Sequence, residues 1–207
     1  MKKLLSIAFI AFLGFTANAQ VNFGVKGGVN IASITGDETD GIKSNVGFHL
    51  GAVAEIEISE LLSFQPELLF STQGGKYEES EEILGVTVNY EEKVNLSYIN
   101  VPLILKVYVS DGFAFEVGPQ FGLLVGAKSK YDISGGGESE SGDEDIKDFV
   151  SGLDLGAGFG ASFKTESGLF FGARYVLGLS NINDFDGADE VNQKNSVIQA
   201  SIGFLFN

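Results

Sequence analysis

Phe113-Ala114-Phe115-Glu116-Val117-Gly118-Pro119-Gln120-Phe121-Gly122-Leu123-Leu124-Val125-Gly126-Ala127 alternates two kinds of side chain with a period of two. One set is Phe113, Phe115, Val117, Pro119, Phe121, Leu123 and Val125. The other is Ala114, Glu116, Gly118, Gln120, Gly122, Leu124 and Gly126. Period two reads as a β-strand, but it does not say which face meets water. The second set decides that. A solvated face would be dense in Lys, Thr, Glu and Arg, whereas this one is mostly glycine with isolated polar groups. Residues 149–164 repeat the pattern, with Leu153, Leu155, Phe159 and Phe163 set against Asp154, Gly156, Gly158, Gly160 and Ser162. Glycine weakens strands, so its abundance on one face needs a geometric reason. The inside of an eight-stranded barrel supplies one, because it is barely wide enough for side chains and each bulky group needs small neighbours. The apolar face then looks at lipid.

Working outward from this stretch, eight alternating segments cover residues 22–34, 44–58, 62–76, 94–109, 113–127, 149–164, 168–180 and 196–206. The links between them are alternately long (35–43, 77–93, 128–148, 181–195) and short (59–61, 110–112, 165–167). An even strand count with tight turns on one rim and long polar loops on the other predicts an all-β, eight-stranded, antiparallel up-and-down transmembrane β-barrel. The last segment must close on the first, since unpaired backbone in hydrocarbon is prohibitive. Phe23, Phe64, Tyr108, Phe113, Phe115, Phe163, Phe170, Phe171, Phe204 and Phe206 gather near the short-turn rim, where an aromatic girdle belongs. Pro66, Pro102 and Pro119 fall inside three successive segments, and bulges are the expected way to absorb them. Residues 83–90 keep strand-like alternation, so segments three and four are expected to continue as a hairpin turning at residues 79–82, with an edge able to accept a partner's strand.

Residues 1–19 read as a secretory signal. Lys2 and Lys3 form the charged region, an apolar run follows, and Ala17-Asn18-Ala19 fits the small-residue cleavage pattern. The remaining residues 20–207 make one barrel domain. The apolar run is too short to span as a helix, and no later segment approaches some 18 uninterrupted apolar residues. The chain has no cysteine, so an exported protein of this kind must be held by burial and hydrogen bonding alone. Losing Lys2 and Lys3 takes the formal charge from −15 to −17, and 20 of the 28 carboxylates lie in the four long links. Such a charge argues against nucleic acid or anionic-lipid partners. It suits either a solvated rim or a protein or cationic ligand at the loops, in a barrel expected to be a monomer in outer-membrane lipid.

The inward set predicted from the alternation is Lys26, His49, Glu55, Glu57, Gln65, Glu67, Lys106, Glu116, Gln120, Asp154, Arg174 and Gln199. Charges this deep are costly unless opposite signs meet. A polar network of Lys26, Glu55, Glu67, Lys106, Glu116, Asp154 and Arg174 is therefore expected in the lumen, either as a packed plug or as an ion path. If 110–112 is a three-residue turn, Val109 pairs with Phe113 and Lys106 lies opposite Glu116. Arg174 falls near the row Gly156, Gly158, Gly160. No catalytic grouping is present, since His49 is the single histidine and no nucleophile motif marks a partner. Asp184, Asp186, Asp189 and Glu190 form a weak metal candidate that fails the Asp-x-Asp-x-Asp-Gly spacing of a calcium loop. Gly135-Gly136-Gly137 lacks the strand–helix context of a phosphate site and reads as a flexible loop. No enzyme activity and no cofactor are expected.

A series of motifs runs along the chain: Phe23-Gly24-Val25-Lys26-Gly27-Gly28-Val29-Asn30, Gln65-Pro66-Glu67-Leu68-Leu69-Phe70, Tyr98-Ile99-Asn100-Val101-Pro102-Leu103, Gly118-Pro119-Gln120-Phe121-Gly122, Gly156-Ala157-Gly158-Phe159-Gly160, Arg174-Tyr175, Gly178-Leu179-Ser180-Asn181-Ile182 and Gly203-Phe204-Leu205-Phe206. Together they resemble those of the Bacteroidota outer-membrane β-barrel proteins, PorT-like and often labelled porin family. The resemblance implies an outer-membrane barrel with periplasmic termini and no catalytic residues, and it makes the strand prolines a family habit. Asn207 departs from it, since such barrels usually end on an aromatic. Three roles stay open at this point: recognition through the long acidic loops, a small-solute or ion channel, and an accessory barrel of a secretion system.

Overall fold

The computed structural model describes residues 20–83, 85–185, 187 and 190–206. The signal assigned to 1–19, Asp186 and Asp189 of the metal candidate, and Asn207 lie outside the described residues. Nine strands run in chain order: β1 (Val21–Gly36), β2 (Ile42–Ser59), β3 (Leu62–Ile83), β4 (Val86–Ser110), β5 (Phe113–Gly135), β6 (Glu138–Asp145), β7 (Leu153–Lys164), β8 (Leu169–Gly178) and β9 (Gln193–Phe206). All but β6 form a closed antiparallel ring, in which β9 pairs with β1 from Phe206↔Phe23 up to Gln193↔Gly36. Closure leaves no open strand edge at the level of the apolar band, as lipid demands.

The faces fall as the alternation predicts. Phe115, Val117, Phe121, Leu123 and Val125 of β5 point out, while Ala114, Glu116, Gln120 and Leu124 are buried. On β7, Leu153, Leu155, Phe159 and Phe163 are outside and Asp154 and Ser162 inside. The girdle needs one correction. Phe170 is buried, its ring lying against the Gly203 backbone, and the Tyr108 hydroxyl reaches Glu55 inside the barrel. These two aromatics fill the lumen floor instead of the lipid boundary.

The prolines bring no bulge. Pro66 faces Leu103, Pro102 faces Gln120 and Pro119 faces Ala157, and the register is continuous on both sides of each. The three lie along one oblique line across β3, β4 and β5. Where the ladder does shift is at Ser44/His49, Glu57/Ser59, Ser97/Tyr98 and Tyr108/Ser110. The last of these corrects the predicted turn: Ser110, not Val109, faces Phe113, yet Lys106 still faces Glu116 because the shift lies between them and the turn.

Two expected loops are largely strand. β3 and β4 continue in register from Gly75↔Val94 to Ile83↔Val86, so the hairpin turns between Ile83 and Val86 and not at 79–82. β5 likewise continues to Gly135, and β6 returns along it from Glu138 to Asp145. Gly136 and Gly137, with φ of 62° and 88°, make the turn. β3, β4, β5 and β6 thus project as a four-stranded sheet on one side of the long-loop rim. Residues 149–152 belong to the link, which holds a single 3₁₀ turn at Lys147–Phe149, so β7 begins later than predicted. β8 ends at Gly178, two residues earlier than predicted.

Candidate functional site

The barrel interior is built in tiers. Nearest the short-turn rim, Lys106 Nζ donates to Glu55 Oε2 at 2.6 Å and to Gln65 Oε1 at 3.2 Å. Lys164 reaches the other Glu55 oxygen and lies 3.7 Å from Glu57. The Lys106 ammonium also stands over the Phe170 ring, 5.8 Å from its centroid. Lys106 thus faces Glu116 in the ladder but pairs with Glu55, two strands away. Ser63, the small residue opposite Lys106 on β3, leaves room for that reach.

At mid-height, Arg174 Nη2 donates to Glu67 Oε1 at 2.8 Å and Glu116 Oε2 at 2.7 Å, and Nη1 to Glu67 Oε2 at 3.0 Å. Lys26 Nζ joins Glu67 at 3.1 Å, and Gln65 Nε2 donates to it at 2.7 Å. The glycine row makes this possible. A Cβ on Gly158 would stand 3.2 Å from Arg174 Cδ, and Gly160 faces Arg174 directly. A guanidinium forking between two carboxylates is the geometry in which buried charges of opposite sign repay their desolvation.

Above this lie His49, a set of amides and Asp154. His49 Nδ1 is 2.8 Å from Asn30 Oδ1 and Nε2 is 2.9 Å from Ser201 Oγ. Because Asn30 Oδ1 can only accept, His49 carries its proton on Nδ1 and accepts from the Ser201 hydroxyl. Asn30 spends its amide on Ser71 and on the Phe48 and Thr72 carbonyls. Asp154 is buried beside Asn195, whose Nδ2 donates to it at 3.0 Å. At the long-loop mouth the polar layers give way to an apolar cluster of Ile34, Leu96, Tyr98, Leu124, Ala127 and Ile182, with Ile146 and Val150 of the link packed on it. The sequence reading missed this cluster; the signal for it was that Leu96, Tyr98 and Leu124 break the polar run of the inward face.

The projecting sheet sorts its side chains by face. Its outer face carries Lys76, Lys93 and Lys130 side by side on β3, β4 and β5, with Lys43 of β2 next to Lys76. Directly above stands the row Glu78, Glu91, Asp132. Lys76 and Lys43 meet Glu78 at 2.6 and 2.9 Å, and Lys93 meets Glu91 at 2.5 Å. The lysines at Glu78, first Lys76 and then Lys43, hold its carboxyl down at about 2. The inner face carries Tyr77, Tyr90, Tyr131 and Ile133 with Glu79, Glu92, Glu140 and Glu144 and no basic residue. Tyr77 and Tyr90 meet edge-on at 6.4 Å and donate to Glu79 and Glu92, bonds that push both phenols up. A cleft of about 350 Å³ between this face and the β1–β2 turn is lined by Ile34, Glu38, Asp40, Ile42, Tyr77 and Glu92, with Lys76 of the outer face at its edge. Among the described residues no group of three His, Cys, Asp or Glu could hold a metal ion. Of the metal candidate, Asp184 is tied through its backbone N–H to the Phe149 carbonyl.

Comparison with known proteins bears on the barrel. Among solved structures, the chain is similar to the attachment invasion locus protein Ail of Yersinia pestis, at 15% identity over 90% of this chain and 99% of Ail, with a TM-score of 0.44. It is similar to Neisserial surface protein A at 13% identity over 90% and 99% of the two chains (TM-score 0.44). It is also similar to the N-terminal β-barrel domain of Pseudomonas aeruginosa OprF at 12% over 90% and 100% (TM-score 0.33). No curated protein sequence matches it. Residues 16–184 match the family model described as outer membrane protein beta-barrel domain, and with that match added to the closed ring and its lipid-facing wall, the chain belongs to the outer membrane protein β-barrel domain family.

Proposed function

We propose that this outer-membrane barrel is closed to solutes and works as a surface-recognition protein, with the projecting sheet and the long acidic links as its binding element. The observation that carries this is the stacking of ion-paired tiers at Glu55–Lys106 and Glu67–Arg174–Glu116 beneath an apolar cluster at the mouth. Eight strands leave an interior that side chains can fill, and no described grouping supplies a nucleophile and base, so neither transport nor catalysis is the reading favoured. The shared motifs support placement in the PorT-like Bacteroidota branch, and Ala17-Asn18-Ala19 supports export by a cleaved signal. The long-loop rim then faces outward from the cell, and the partner is a protein or cationic ligand. Purified protein in planar bilayers should give no reproducible single-channel steps. In a pull-down from the native envelope and medium, shortening the hairpins at 77–92 and 129–144 to Gly/Ser turns should abolish capture while leaving the barrel folded. Steady conductance from the wild type would replace this reading with a small-solute channel. Capture of secretion-system components by the barrel without its hairpins would make it an accessory barrel instead.

A further inference from the structure

Four carboxylates are buried in the barrel: Glu55, Glu67, Glu116 and Asp154. Three are balanced. Glu55, with Glu57 at the rim, meets Lys106 and Lys164. Glu67 and Glu116 meet Lys26 and Arg174. Each of these groups sums to zero. Asp154 has no cationic side chain within ion-pair distance among the described residues. Its hydrogen bonds come from neutral donors, Asn195 Nδ2 at 3.0 Å and Ser180 Oγ at 3.2 Å.

The surroundings of Asp154 are rich in unpartnered oxygen. Asn100 on β4 and Asp154 on β7 flank Gly122 of β5 in the ladder. A Cβ on Gly122 would stand 2.8 Å from Asn100 Oδ1 and 3.3 Å from both Asp154 Cβ and Tyr98 Cδ1, so only a glycine there lets these side chains come together over its Cα. Gln120, the next inward residue of β5, faces the equally small Gly156. Asn100 Oδ1 and Nδ2, Gln120 Oε1 and Asn195 Oδ1 are all buried without a hydrogen-bond partner. Buried amides are ordinarily satisfied, and three orphaned oxygens beside one carboxylate need a common explanation, while Asn100 Nδ2, a donor, calls for an acceptor such as water. Tyr98, which accepts from Asn195 Nδ2 at 3.3 Å, closes the space beneath the apolar cluster.

We propose that Asp154, Asn100, Gln120 and Asn195 form a binding site for one alkali-metal cation inside the barrel. All its donors are hard oxygens, the class that sodium and potassium take. A single charge leaves the site neutral like the two ion-paired tiers below it. A divalent ion would leave a surplus positive charge in a low-dielectric interior, and calcium sites usually spend several carboxylates. Ordered water alone would satisfy the amides but not the charge. A proton alone would satisfy the charge but not the amides.

The test is thermal unfolding of the folded, detergent-solubilised protein in sodium, potassium or choline chloride at equal ionic strength and fixed pH. A ligand that binds only the folded state raises the midpoint with its concentration. The wild type should therefore melt higher in sodium or potassium than in choline, increasingly so as the salt is raised. Asp154→Asn should erase that difference. Gln120→Leu, which keeps the charge, should shift the dependence to higher cation concentration and stands in if Asp154→Asn does not fold. Equal midpoints in all three salts would overturn the proposal and leave Asp154 protonated or merely hydrated. A cation dependence unchanged in the variants would overturn it equally, by placing the ion at the acidic loops.

Discussion

Arg174 is the residue on which most of the interior charge converges, since it serves Glu67 and Glu116 together while Lys26 serves Glu67 alone. Breaking a buried pair strands its partner, at a cost of about 3–5 kcal/mol. Arg174→Leu should cost at least that much in equilibrium unfolding from lipid vesicles, whereas Lys26→Met should cost clearly less because the guanidinium still holds both carboxylates. Equal costs would mean that the load is shared differently. Outside the membrane, Glu78 gives a pH signature. Its carboxyl is held from 4.5 down to about 2 by Lys76 and Lys43. A depressed carboxylate contributes its stability above the unfolded value and loses it as pH falls toward the folded one. Ordering of the projecting sheet, followed by amide exchange, should weaken between about pH 4.5 and 2, and Glu78→Gln should flatten that change. The sequence reading set Lys106 opposite Glu116 from a three-residue turn, and the pairing holds because the shift at Tyr108/Ser110 offsets the shorter turn. That reading could not give the partner, because a long flexible side chain reaches past its ladder neighbour to Glu55 when Ser63 leaves the way clear.

At the scale of elements, β6 is the piece that alternation could not reveal. Glu138-Ser139-Glu140-Ser141-Gly142-Asp143-Glu144-Asp145 has no apolar face, and it is a strand only because β5 offers a ladder to pair with. The outward-looking edge of β6 is unpaired among the described residues, and its five carboxylates are the kind of charge that keeps such edges from joining a second copy. Replacing Glu138, Glu140 and Glu144 with threonine should produce self-association in light scattering with the barrel itself unchanged; a monodisperse variant would show that charge is not the guard. The eight ring strands, by contrast, were legible from residues such as Leu153, Leu155, Phe159 and Phe163 set against Asp154 and the glycines, because lipid outside and a narrow lumen inside impose opposite chemistries. The hairpin closed by Ile83↔Val86 was legible in kind but its turn was placed a few residues too early. Glutamates at 79–82 look like a turn and are in fact exposed strand, which a solvated sheet tolerates.

For the whole molecule, ring closure between Phe23 and Phe206 joins the two ends of the described chain at one rim, so cooperative unfolding must open every ladder together. The folded protein should run as a compact, SDS-resistant band that shifts on boiling; a soluble monomer without detergent would invert the face assignment. The apolar cluster at the mouth draws on β1, β4, β5 and the link residue Ile182, which no single-strand pattern could have brought together. The projecting sheet also has a consequence for how such proteins diversify. Its strands are continuations of wall strands, paired without a break from Gly75↔Val94 to Ile83↔Val86. Adding one residue to an arm would turn every side chain beyond it to the opposite face. Adding two to each arm preserves the faces and lifts the tip by about 6.6–6.8 Å. The reach of this sheet above the barrel rim is therefore quantised, and relatives of different reach should differ there by matched, even-numbered insertions.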